Sequence, residues 1–152
     1  MTADEVIDAA RKNTGLTDFG DPGIRNGLER LCEGYRTEAK FTEAGAAIAY
    51  RELVKQLEIR LKVEDWLARH PELLDRPIEK PLFVFGLPRT GTTLLINLIA
   101  ADPARRSLMR WTAFDPVPPP RPEELTSGPR WKEMQDQIDM SLKYMPQISS
   151  IH

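Results

Sequence analysis

The stretch Leu82-Phe83-Val84-Phe85-Gly86-Leu87-Pro88-Arg89-Thr90-Gly91-Thr92-Thr93-Leu94-Leu95 decides how this chain is read. Its first four residues are a short apolar run set between Pro81 and Gly86. A run that short, aromatic and β-branched, predicts a strand buried on both faces. Gly86 to Thr93 then holds two glycines, one proline and three threonines. Leu94, Leu95, Leu98 and Ile99 follow at helical spacing, so a helix is expected over roughly residues 92–101. Strand, glycine-bearing turn, helix is the local build of a phosphate-binding loop. Free N–H groups of the turn and the positive end of the helix dipole converge on an anion.

The spacing sharpens that reading. A nucleotide-binding loop of the G-x-x-x-x-G-K-[ST] type places a lysine after its second glycine. Gly86 and Gly91 stand five apart, and Thr93 takes the Ser/Thr place, but Thr92 occupies the lysine place. The nearest cation is Arg89, inside the loop. The cradle is present, and the lysine aimed at a γ-phosphate is not. From Gly86 to Arg110 four arginines stand against one aspartate, a net charge of +3 in a chain that is −2 overall. An anion at the loop meets a favourable local field.

The bulk properties bound the function. The chain has 152 residues, 41% hydrophobic and 29% charged, enough for a real core. Its slightly negative charge implies neither nucleic acid nor an anionic membrane surface as partner. The one cysteine, Cys32, lies among Leu28 and Leu31 and reads as a core thiol. The acidic N-terminus lacks an apolar signal core, and no apolar run reaches the ~18 residues of a membrane helix. A cytoplasmic location with no integral membrane segment is the expectation.

Taken in order, Thr2 and Glu5 fit a capping box for a first helix over residues 3–13. Asp21 and Pro22 start a second helix running to about residue 41. The glycines at 27 and 34 weaken it and suggest close helix contact. A third helix is expected over residues 42–69, ended by His70-Pro71. Pro71, Pro77 and Pro81 mark an extended connector. Ser107 to Phe114 is read as a second short strand. Five prolines in Pro116 to Pro122 make a polyproline-like surface segment, read as a rigid loop on the substrate side, with the binding of an SH3-like partner as the alternative. A last helix is expected over residues 129–144. The domain reading is a helical extension over 1–80, then the start of a P-loop α/β domain over 81–152. A parallel sheet needs several strands, and this chain offers two. Either another chain completes the sheet or this is the first portion of a longer protein, and the second is the reading taken.

Phe83 to Leu95 resembles the phosphosulfate-binding loop of the PAPS-dependent sulfotransferases, in the bacterial-type group whose loop reads P-R-x-G-T-T. Val63-Glu64-Asp65-Trp66-Leu67-Ala68-Arg69-His70-Pro71-Glu72 is similar to the same group. So are Asp102-Pro103, Arg106-Ser107-Leu108-Met109-Arg110-Trp111 and Asp115-Pro116-Val117-Pro118-Pro119-Pro120. The resemblance implies a P-loop three-layer α/β sandwich of the sulfotransferase type, preceded by a mostly helical extension and incomplete here. It implies transfer of a sulfuryl group from 3′-phosphoadenosine 5′-phosphosulfate (PAPS) to a hydroxyl or amine of a small-molecule, glycan or lipid acceptor. Arg89 matches the position where related enzymes carry Lys or Arg beside the leaving oxygen. Gly86, Pro88, Arg89, Thr90, Gly91, Thr92 and Thr93 would form the donor site. No metal is implied, because Arg89 and the loop amides supply the positive field.

A histidine recurs in similar sequences near the position of His152, which marks it as a candidate acceptor-pocket residue or base; otherwise it is a chain-end histidine with no role. His70 reads as a helix-end residue. The family's 3′-phosphate site falls on later elements, so the 152 residues alone are expected to bind the donor weakly and to be inactive. Two other functions compete: a P-loop nucleotide kinase or NTPase, which Thr92 disfavours, and a non-enzymatic helical interaction module. The acceptor and the oligomeric state stay open.

Overall fold

The computed structural model describes residues 1–88 and 90–147 and divides the chain into two units, Met1–Asp75 and Arg76–His152. In the first unit, α1 (Ala3–Thr14) begins at a complete capping box. The Glu5 amide donates to Thr2 Oγ1 at 3.3 Å, and the Thr2 amide donates to Glu5 Oε2 at 2.7 Å. Gly15, in the left-handed region at φ 72°, closes the helix by donating to the Arg11 carbonyl. Helix α2 (Gly23–Thr37) starts where the Gly23 amide donates to Asp21 Oδ1 at 2.7 Å. It stops four residues short of the expected end. Neither Gly27 nor Gly34 has an atom within 4 Å of where a β-carbon would sit, so the close helix contact expected at these glycines is not found.

Helix α3 (Glu43–Arg69) is 27 residues long and starts at Thr42, whose Oγ1 accepts from the Gly45 amide. It packs chiefly on α1, and Val54, Leu57 and Leu61 join Val6, Ile7, Ala10, Leu28 and Cys32 in the core. Burial pushes the Cys32 thiol pKa up, in keeping with an unreactive core position. Polar ties add register: Asn13 donates to Glu58, Arg25 pairs with Asp4 at 2.6 Å, and Arg60 Nε donates to the Phe19 carbonyl. A 3₁₀ turn, Pro71–Leu73, follows the proline stop.

The second unit differs from the sheet expectation. Residues 81–87 form neither helix nor strand, and no two segments pair as a β ladder among the described residues. The three-layer sandwich is therefore absent from the described residues, and the strand expected at Leu82–Phe85 is not formed. Phe83 and Phe85 stack with ring centroids 6.2 Å apart and are 70% and 87% exposed. Leu82 and Val84 line a groove with Ile96 and Ile99. The physical reason lies in the hydrogen bonds: a parallel strand is completed by ladder partners distant in sequence, and none is found among the described residues.

The second expected strand is also corrected. Within it, Arg110–Phe114 forms the short helix α5, preceded by α4 (Thr92–Ala100). The Met109 carbonyl accepts from both the amide and the hydroxyl of Thr112, which turns the chain into helix. Helix α6 (Pro129–Tyr144) has Pro129 at its first position, as the sequence predicts, and packs on α5.

Candidate functional site

The loop between the apolar run and α4 is set by its glycines. A β-carbon on Gly86 would lie 2.5 Å from Thr92 Cγ2 and 2.8 Å from Thr90 Oγ1, so only glycine fits. Gly91 holds φ 85° and ψ 15°, the left-handed region, and serves as N-cap of α4. The Leu95 amide returns to the Gly91 carbonyl at 3.0 Å, which fixes the first turn. Thr90 Oγ1 donates to the Leu87 carbonyl at 2.7 Å. Gly86, Thr90 and Thr92 are thus brought together, with Pro88 in the turn and Thr93 exposed on the first helical turn.

The opening amides of a helix have no acceptor within it. At α4 these belong to residues of the predicted donor site. The dipole adds partial positive charge at the same end. The arrangement can bind an anion by backbone N–H groups without a lysine.

Arg89 and His152, the two predicted catalytic residues, lie outside the described residues. Of the other local cations, Arg105 pairs with Asp102 at 3.5 Å, and the Arg110 guanidinium lies over the Phe114 ring at 5.7 Å. Arg105 is therefore partly neutralised, and Arg106 joins it in lining the groove beside Leu82 and Val84. His70 stacks on Trp66 with ring centroids 4.4 Å apart, and its Nδ1 lies 3.2 Å from Glu72 Oε1. That geometry uses His70 as a helix-end residue. Sequence reasoning missed Arg130, which ties the proline segment to α5 and α6. Its only signal was an arginine after a proline at a helix start.

Residues 81–151 match the sequence model of the sulfotransferase family. This chain belongs to that family. Two solved structures are similar to it. One is sulfotransferase STF1 from Mycobacterium tuberculosis H37Rv, 35% identical, with a TM-score of 0.83 over 96% of this chain and 40% of that one. The other is sulfotransferase STF9 from Mycobacterium avium, 37% identical, with a TM-score of 0.85 over 95% of this chain and 37% of that one. The chain thus spans about two fifths of the length of the solved structures it matches. No curated protein sequence matches it. Within the sulfotransferase family match falls the whole loop from Gly86 to Thr93, together with α5, the proline segment and α6.

Proposed function

We propose that this chain carries the 5′-phosphosulfate loop of a sulfotransferase that uses PAPS as donor. The acceptor oxygen or nitrogen attacks the sulfur. The bond from sulfur to the bridging phosphate oxygen breaks, and its electron pair stays on that oxygen. Adenosine 3′,5′-bisphosphate leaves, and the acceptor's proton passes to a base. The loop amides of Thr90 to Thr93 face the 5′-phosphate and sulfonate oxygens, and Arg89 offsets the charge that grows on the leaving oxygen. His152 is the candidate residue on the acceptor side. In the whole protein the loop sits at the edge of a P-loop α/β sheet.

The observation that carries this reading is the loop itself. Its glycines close an anion cradle against α4 while threonine stands at the lysine place. A nucleotide triphosphate loses its γ-phosphate contact there, whereas a phosphosulfate has none to lose. The 152 residues alone hold the front of the donor and are proposed to bind it weakly, without turnover. Titration with adenosine 3′,5′-bisphosphate and, separately, with ATP and Mg²⁺ tests the reading. Magnesium-independent binding of the bisphosphate is expected. Tighter, Mg²⁺-dependent binding and hydrolysis of ATP would assign the loop to nucleotide chemistry instead.

A further inference from the structure

We propose that Thr90 is a positioning residue of the loop, whose hydroxyl holds the Leu87 carbonyl and is not a ligand of the donor. What the loop binds rests on the sulfotransferase reading above; how the loop is held does not. A threonine hydroxyl has one proton to give. Here it goes to the Leu87 carbonyl at 2.7 Å, the usual length of a good O–H···O bond. Sulfonate and phosphate oxygens only accept, so that proton cannot serve them while the tie stands.

The tie has a second effect. An uncapped carbonyl oxygen in an anion cradle presents its negative end to the ligand. The Thr90 hydroxyl occupies that oxygen instead. Gly86 completes the set, because a β-carbon there would press on both Thr90 Oγ1 and Thr92 Cγ2. Gly86, Leu87, Thr90 and Thr92 therefore act as one packed turn that presets the backbone entering α4. Among the three loop threonines the labour divides: Thr92 and Thr93 stand on the first turn, where an anion is met, and the Thr90 side chain braces the turn.

The test compares Thr90→Val, which keeps the shape and loses the hydroxyl, with Thr90→Ser, which keeps the hydroxyl. Backbone order parameters at Leu87 and Gly91 are measured on the ligand-free chain by NMR, and adenosine 3′,5′-bisphosphate is then titrated in. Thr90→Val is expected to lower those order parameters from rigid values near ~0.85 to below ~0.6. It is expected to weaken bisphosphate binding about tenfold, the scale of one lost hydrogen bond. Thr90→Ser is expected to restore both. A valine variant with an unchanged, ordered loop overturns the proposal, whether its binding is intact or weakened; the latter makes the hydroxyl a direct ligand. Failure of the unmodified chain to bind bisphosphate would count against the donor reading, while the loop-order comparison still decides the role of Thr90.

Discussion

The guanidinium carbon of Arg130 lies 5.0 Å from the centroid of the Trp111 ring. From that position Arg130 Nη1 donates to two carbonyls, Asp115 at 3.0 Å and Pro118 at 2.9 Å. Its Nη2 lies 3.7 Å from Glu124 Oε2, which also accepts from the Arg121 amide. Trp111 is 4% exposed and donates its indole N–H to the Leu125 carbonyl. One arginine at the start of α6 thus gathers both ends of the proline segment around the buried tryptophan. Arg121 within it holds polyproline II angles, φ −76° and ψ 156°. The segment is a braced loop, in line with the rigid reading of its sequence.

Replacing Arg130 should loosen that brace. Arg130→Ala loses a stacked cation and two carbonyl bonds, and a cost of about 1–3 kcal/mol to the second unit is expected. Arg130→Lys should recover little of it, since a lysine cannot fork to two carbonyls while lying over a ring. Urea unfolding followed by tryptophan emission, with Trp111→Phe to assign the signal, measures both. Full recovery in the lysine variant would show that charge alone is at work.

The glycines divide into two kinds with opposite expected responses. Gly27 and Gly34 lie in α2 with open space around them. Alanine at each should stabilise the first unit by about 0.5–1 kcal/mol, because the unfolded chain loses freedom that the helix never used. Gly86→Ala should do the reverse. Its added methyl meets Thr90 and Thr92, so bisphosphate binding should fall steeply while α1–α3 stay intact. Thermal melts and a binding titration on the three variants check the contrast.

The Glu5 carboxyl sets a pH dependence. The Thr2 backbone N–H, and next the N-terminal ammonium, hold its pKa below the ordinary glutamate value. A depressed folded-state pKa contributes stability that is present above the unfolded value and lost as pH falls through the folded one. Glu5→Gln should therefore melt lower than the unmodified chain at pH 7, and the gap should close as pH falls through the depressed folded-state pKa. An offset that persists unchanged in acid would assign the loss to shape and not to charge.

Arg89 is tested in the transfer reaction of the whole protein. Arg89→Ala should slow sulfate transfer on the order of a hundredfold or more, as other losses of transition-state charge stabilisation do, with Arg89→Lys retaining much of the rate. Unchanged turnover in the alanine variant would remove Arg89 from the mechanism.

Much of the first unit was legible in sequence because its signals are local. The capping box at Thr2 and Glu5 and the proline stop after His70 each act within four residues, and each is found where it was expected. The α6 span was equally readable from Pro129 and its spacing. The end of α2 was not, since Thr37 to Phe41 carries no stop signal and propensity alone does not end a helix. The strand reading of Ser107 to Phe114 failed for a related reason. Short apolar runs suit either structure, and the contacts of Trp111 with Leu125 and Arg130, well removed in sequence, leave no local signal.

For the loop, the sequence by itself determined the glycine positions and the threonine at the lysine place, both matters of spacing within eight residues, on which the anion-binding proposal rests. Only the tertiary structure decided that Thr90 turns its hydroxyl to the Leu87 carbonyl, that a β-carbon on Gly86 would meet two threonines, and that the run Leu82 to Phe85 joins no ladder among the described residues. The difference is physical. Backbone conformation over a few residues follows from local sterics and hydrogen bonds, whereas the pairing of a strand and the direction of a side chain depend on which distant groups are present to meet them.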